Sequence, residues 1–172
     1  MSTQSPASPS VTPPVVGTAK GTRIFLLIWA AVLATADLLI KSLAETLLSR
    51  GETVDLGPLN IRMLYNTGVA FSFGADLAPW LVTGATGTII LAMTWYALST
   101  APGMSGLSRA GAALTLGGGA GNFIDRLDGR GVVDYLHSGW FPTFNLADAF
   151  VTVGVGLYIL GALRTSGLKT GD

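Results

Sequence analysis

The chain has 172 residues, of which 49% are hydrophobic and only 12% charged, with a formal net charge of zero. Soluble domains carry about 25% charged residues, so this composition, with its apolar residues gathered in long runs, belongs to an integral membrane protein and offers no global field for nucleic acid. The absence of cysteine excludes disulfides, thiolate nucleophiles and thiolate metal sites, and a single histidine, His137, makes a His-based metal site or a Ser-His-Asp triad hard to build.

Residues 1–22 are rich in Ser, Thr and Pro and show no apolar period, which predicts a disordered tail. The apolar run after Lys20 and Arg23 is too long for the core of a secretory leader, and no small-x-small cleavage site follows it, so it is expected to stay as a span. A membrane helix needs roughly 20 apolar residues. Four candidates meet this, at about 24–47, 79–98, 107–124 and 146–163. The third contains Gly117, Gly118, Gly119 and Gly121. Glycine lowers helix propensity, but in a bilayer the small-xxx-small spacing of Gly117 and Gly121 lets a neighbouring backbone approach closely, which predicts a central helix.

Between the first two spans, residues 49–74 alternate apolar and polar in places, with turns expected at Gly57-Pro58 and Thr67-Gly68. This predicts a small sheet-like cap on the membrane surface. The connector 125–144 is expected to be a short interfacial helix or loop anchored by Trp140 and Phe141, and residues 167–172 a C-terminal tail. The fold class is therefore an all-α integral membrane protein, with four transmembrane helices in a membrane domain over 23–166 and a small extracytoplasmic β-sheet-like cap. Lys and Arg are tied at five on each side. Four spans put both termini on one side, taken as cytoplasmic because Lys20 and Arg23 flank the first span; the acidic face then looks outward.

Asp134 and Asp148 stand at the edge of a segment apolar enough to enter a membrane. An Asp at a helix centre costs about 2.5–3.5 kcal/mol on insertion; the cost is smaller near a span end, but two such residues still require a reason. Asn145-x-x-Asp148 before an apolar run has the form of a helix N-cap with a carboxylate in the first turn. That account leaves Asp134 unexplained. Two carboxylates brought together share one proton. The ionised partner can act as general base on water, and the protonated one can polarise a scissile carbonyl. Such chemistry needs no metal, cofactor or nucleophilic side chain.

The other polar residues each have two readings. Asp37 and Lys41, spaced i, i+4, form a self-neutralised pair, or Asp37 bonds the backbone of a loop over the site. Ser42 beside Lys41 does not make a Ser/Lys dyad, because adjacent helical residues point about 100° apart. Asn66 and Gly68 supply a turn, or Asn66 lines a cleft. Asn122 and Asp125 share a helix face. Arg126 either snorkels to the interface or is fixed by Asp125 and presents donors to a carbonyl. A proton- or ion-coupled transporter using these carboxylates as a relay is the alternative function; it would need acids at several depths or an inverted repeat. A non-catalytic assembly protein would account for the glycine-rich helix and leave the polar blocks unexplained.

Five blocks occur in order: Asp37-x-x-x-Lys41; Asn66-Thr67-Gly68-Val69-Ala70-Phe71; Gly121-Asn122-x-x-Asp125-Arg126; Val132-Val133-Asp134; and Phe144-Asn145-x-Ala147-Asp148. In these blocks the chain resembles lipoprotein signal peptidase, the bacterial signal peptidase II family. The resemblance implies a four-helix inner-membrane aspartyl protease that removes signal peptides from prolipoproteins whose lipobox cysteine already carries diacylglycerol. It implies Asp134 and Asp148 as the catalytic pair, with Asn66, Gly68, Asn122, Arg126 and Asn145 around it holding substrate and loops. Asp37, Lys41 and Asp125 match polar positions of supporting role. It further implies no cofactor or metal, a lipid-modified prolipoprotein and membrane lipid as partners, and a monomer with both termini cytoplasmic and the site extracytoplasmic. Leu38 stands where the family often has Gln, Gly119 follows the glycine pair, and the interval between the two aspartates is compact.

Overall fold

A computed structural model describes residues 18–48, 51–68 and 76–167. The expected disorder of residues 1–17, the tail 168–172, and cap residues 49–50 and 69–74, which include the Val69-Ala70-Phe71 part of the second block, lie outside the described residues. Four helices make the body: α1 (Ala19–Leu48), α2 (Pro79–Thr100), α3 (Gly106–Arg126) and α4 (Leu146–Gly167). α1 starts inside the expected tail, at Ala19, because Thr18 caps it: Gly21 N donates to Thr18 Oγ1 at 3.2 Å and Thr22 N to Thr18 O at 3.1 Å. α2 opens on Pro79, which has no N–H to leave unpaired there. A 3₁₀ turn, Ala101–Gly103, ends it at Pro102. Ser105 caps α3 by accepting from Ser108 N at 3.1 Å.

The segments 19–48, 79–103 and 146–165 are long and apolar enough to cross a membrane. Their large side chains point outward: Leu39, Leu91, Trp95 and Leu163 are each well over half exposed. Such faces suit lipid and not water. α3 is long enough at 21 residues but is diluted by glycine; it packs against α1, α2 and α4, while α1 and α4 barely touch each other. Its buried positions are small, which lets the partners close in. A Cβ at Gly117 would lie 2.7 Å from Leu33 Cβ, one at Gly154 would lie 2.7 Å from Gly111 O, and one at Gly118 would run into the Ala147 carbonyl. The expectation of α3 as the central helix is met by this packing.

The cap is a three-stranded antiparallel sheet in the order β1 (Thr53–Asp55), β2 (Asn60–Asn66), β3 (Val132–His137). The turn between β1 and β2 falls at Gly57, whose φ of 84° suits glycine, and Gly57 N is bound by Asp55 Oδ1 at 2.8 Å. β3 corrects the sequence reading, which placed a short helix or loop over 125–144. Val132, Val133 and Tyr135 carry β-branched and aromatic side chains that fit a pleated, half-buried surface, and β3 covers the inner edge of β2 with Asn66 opposite Val132 and Tyr65 opposite Val133. The sheet sits on the end of α1 through Ala44, Leu48, Val133 and Tyr135. Beyond β3 the chain reverses: Leu136 N donates to Phe144 O at 2.8 Å and Phe144 N to Leu136 O at 3.0 Å. Trp140 projects from this reversal at 85% exposure, with Phe141 edge-on beside it.

Candidate active site

The reversal after β3 returns the chain to α4 beside the strand it has just left, which brings Asn145 and Asp148 to Asp134. Asn145 is fully buried and reaches both carboxylates: its Nδ2 donates to Asp134 Oδ1 at 2.7 Å, and its backbone N donates to Asp148 Oδ2 at 3.2 Å. Asn145 Oδ1 accepts in turn from Asp148 N at 2.9 Å. This is a reciprocal capping box at the start of α4. The capping account of Asp148 is thus correct as geometry, and the same bonds present its carboxylate to Asp134.

The N-terminus of α4 is held by two other elements and by its own cap. Leu146 N donates to Tyr135 Oη at 3.3 Å, Ala147 N to Asp37 Oδ1 at 3.0 Å, and Asp148 N to Asn145. These satisfy amides that a helix start leaves without partners. Tyr135 was not singled out by the sequence reading; the only signal was an aromatic one residue after an aspartate in a β-prone run.

Behind the pair lies a buried cation. Lys41 Nζ contacts Asp37 Oδ2 at 2.8 Å, Asp125 Oδ2 at 2.9 Å and Asn122 Oδ1 at 2.7 Å. That uses all three ammonium hydrogens. The i, i+4 pair is therefore one arm of a triad that ties α1 to α3. An ammonium only donates, so Asn122 must turn its oxygen toward Lys41 and its Nδ2 toward Asp148 Oδ1, 2.8 Å away. Asn122 Oδ1 also accepts from Asn145 Nδ2 at 3.1 Å. Asp125 Oδ2 accepts from Val133 N at 3.2 Å, which pins β3 next to Asp134. Gly121 makes room for this: a Cβ there would lie 2.5 Å from Asp37 Oδ2.

Asn66 makes the turn, and its amide faces a carboxylate. Its Oδ1 accepts from Gly68 N at 3.0 Å, closing the turn, and its Nδ2 donates to Asp134 Oδ2 at 3.1 Å. Arg126 keeps only half of its second reading, donating to carbonyls without a bond to Asp125. It does not snorkel, being only 9% exposed, and its bonds go to backbone carbonyls, with Nη1 donating to Asn122 O at 3.0 Å and Nη2 to Gly68 O at 2.6 Å. Asp125 is engaged by Lys41 instead. Arg126 thereby locks the turn after β2 onto α3.

All ten residues named from the sequence converge on this one end of the bundle. Asp134 is 1% exposed whereas Asp148 is partly exposed. Burial, followed by the neighbouring Asp148 charge, pushes the Asp134 carboxyl up to about 6; the bonds from Asn66 and Asn145 pull the other way and do not cancel it. No group of three or more His, Cys, Asp or Glu with metal-binding geometry occurs among the described residues. A cavity of about 520 Å³ lies at the opposite end, bordered by Ser99, Pro102, Ser105, Tyr158 and Thr165. It contains no carboxylate and is separate from this chemistry.

A helical membrane protein with paired carboxylates in a buried polar end is the class that fold and site define. Comparison with known proteins narrows it. A family model described as signal peptidase (SPase) II matches residues 29–164. The lipoprotein signal peptidase of Brucella ovis is 40% identical over 146 residues, covering 80% of this chain and 86% of the relative. That of Azoarcus sp. (strain BH72) is 36% identical over 145 residues, covering 80% and 82%. A solved bacterial membrane enzyme, determined by the in meso method at 2.3 Å resolution, superposes with a TM-score of 0.72 at 26% identity, covering 88% of this chain and 93% of that one. The chain belongs to the signal peptidase II family.

Proposed function

We propose that this chain is a membrane aspartyl endopeptidase that removes the signal peptide from diacylglyceryl-modified prolipoproteins, with Asp134 and Asp148 as its catalytic pair. The observation that carries the reading is Asn145, whose side chain and backbone N–H bond the two carboxylates at once. Membership in the signal peptidase II family supports the reaction class.

The two carboxylates have unequal surroundings, and this assigns their roles. Asp148 lies in the first turn of α4, where the helix N-terminus favours negative charge, and it is the one that water can reach. Asp134 is buried and holds the proton. Asp148 takes a proton from a water whose oxygen attacks the scissile carbonyl carbon, while Asp134 gives its proton to the carbonyl oxygen. When the tetrahedral intermediate collapses, the C–N bond breaks. The leaving nitrogen receives the proton from Asp148, and Asp134 recovers one from the hydroxyl that becomes the new carboxyl. No metal, cofactor or covalent intermediate is required.

The substrate's signal helix and diacylglyceryl group both reside in the bilayer, which matches a catalytic pair at the end of lipid-facing helices. The membrane domain over 23–166 consists of four spans, with α3 crossing in the shelter of its three neighbours. The pair faces the extracytoplasmic side and both termini the cytoplasm of a bacterial inner membrane. The protein acts as a monomer in this reading. The transporter alternative loses support on two counts. The family is one of peptidases, and no carboxylate occurs in residues 19–33, 90–115 or 157–167, which form the opposite half of the bundle.

The test is cleavage of a diacylglyceryl-modified prolipoprotein by purified protein in detergent, with chelator present, beside Asp134→Asn and Asp148→Asn. Cleavage by the wild type alone is expected. An active folded variant at either position would remove that residue from the pair.

A further inference from the structure

We propose that Arg130, Glu45 and Tyr65 form a surface clasp whose role is to hold Asn66 against Asp134, which makes Arg130 and Tyr65 positioning residues for the peptidase reaction. The inference rests on the catalytic assignment above and extends it to residues that lie outside the buried network.

Arg130 sits in the loop between α3 and β3 and joins three separate elements. Its Nη1 donates to Glu45 Oε1 on α1 at 2.9 Å and to Tyr65 Oη on β2 at 2.6 Å, and its guanidinium lies 5.1 Å from the centroid of the Tyr65 ring. Tyr65 Oη donates to Glu45 Oε1 at 2.5 Å. Arg130 Nε and backbone N both bond Asp128, at 2.7 and 2.9 Å, so the loop that presents Arg130 is itself closed. With Arg130 56% exposed, an ion pair of this kind adds little to folding stability. Its placement calls for another explanation.

The neighbours in sequence supply it. Tyr65 immediately precedes Asn66, and Arg130 immediately precedes Gly131. Gly131 has φ 98° and rests on the Asn66 backbone, where a Cβ would lie 2.5 Å from the Asn66 carbonyl oxygen. Asn66 in turn pairs with Val132 and donates to Asp134. Opening the clasp frees the loop and the end of β2 to separate, and the Asn66–Asp134 bond is the catalytic contact nearest to that movement. Misplacement of a reacting group by about 1 Å can cost 10²-fold in rate.

This gives a signature that loss of folding does not share. The Asn66 bond favours the charged form of Asp134. The other ionisable groups facing Asp134 are Asp148 from α4, Lys41 from α1, Arg126 from α3 and Tyr135 from β3. Those facing Arg130 are Glu45, Tyr65 and Asp128. Loosening Asn66 alone therefore lets Asp134 keep its proton to higher pH.

The experiment is the pH profile of prolipoprotein cleavage by the full chain in detergent, for wild type, Arg130→Ala, Arg130→Lys and Tyr65→Phe. Arg130→Ala is expected to lower kcat roughly tenfold or more, with KM little changed and the basic limb moved to higher pH. Arg130→Lys should recover part of the loss. Tyr65→Phe, which keeps the ring and removes the hydroxyl, should shift the limb in the same direction and serves if Arg130→Ala does not fold. Folded variants with wild-type kcat and profile, or a fall in kcat with the limb unmoved, overturn the clasp. Misfolding of both Arg130→Ala and Tyr65→Phe assigns these residues to stability and also overturns it. A wild type that cleaves nothing refutes the catalytic assignment, and the clasp falls with it.

Discussion

Asp134→Asn tests both the chemistry and the electrostatics of the pair. Burial raises the Asp134 carboxyl from 3.8 to about 6. At 1.36 kcal/mol per pKa unit, that difference is about 3 kcal/mol. A carboxyl whose folded pKa is raised binds its proton more tightly in the native state than in the unfolded one. Its contribution to stability is complete below its unfolded value of 3.8 and is lost as pH rises through about 6. An amide cannot ionise, so the variant lacks this slope. It incurs a different cost, because its NH₂ replaces one carboxylate oxygen and meets a donor, either Asn66 Nδ2 or Asn145 Nδ2. A donor left without an acceptor costs about 1–3 kcal/mol. The variant should therefore be less stable than wild type near pH 4, with the gap closing or reversing by about pH 7. Groups that titrate in both proteins cancel in the difference. The assay is denaturant unfolding in detergent, followed by tryptophan fluorescence across this range, with cleavage measured on the same preparations. Parallel stability curves would refute the buried, proton-holding assignment of Asp134, and retained cleavage would refute its catalytic role.

Asp148→Asn should also abolish cleavage; it keeps one oxygen for the capping box, so its loss of stability should be about 1 kcal/mol by the same unfolding assay. Lys41→Met leaves Asp37 and Asp125 facing each other without their shared cation and should cost about 3–5 kcal/mol, enough to lower the yield of folded protein on size-exclusion chromatography. Gly118→Ala puts a methyl group against the Ala147 carbonyl and Phe150, so it should destabilise by about 1–3 kcal/mol and reduce kcat by moving the start of α4; unchanged kcat would show that Asp148 does not depend on this packing. The basic limb of kcat/KM reports the free enzyme and should lie near the Asp134 value of about 6; a limb at the ordinary carboxylate value would remove the proton from Asp134.

The membrane class, the positions of the four helices and the small-residue face of α3 were legible in the chain, because apolar runs and glycine spacing are local properties read within a window of a few turns. The helix ends were less so: α1 begins at Ala19 on a threonine cap within a Ser/Thr/Pro-rich stretch that composition alone assigns to disorder. β3 was missed because a short apolar strand and an interfacial loop look alike until there is an edge to pair with, and β2 provides that edge far away in sequence. Nine of the ten site residues could be picked out as polar groups too costly to bury without purpose, Gly68 as a turn residue, and the resemblance ordered them. What each one bonds could not be read. Asp37 and Lys41 signal an ion pair by their spacing, yet Asp125 and Asn122 complete the coordination of Lys41 from another helix. Arg126 has an acid as its immediate neighbour and binds two carbonyls instead. Asp148 looks like a helix cap and is one, and only the return of the chain through the reversal after β3 sets it beside Asp134. Composition and periodicity thus determined that this chain enters a membrane and where its helices run, since transfer free energy is additive along a sequence. The raised Asp134 carboxyl, the orientations of Asn122 and Asn145, and the contacts of Arg130 were decided by tertiary structure alone, because hydrogen bonding and charge coupling depend on distances between residues that are remote along the chain.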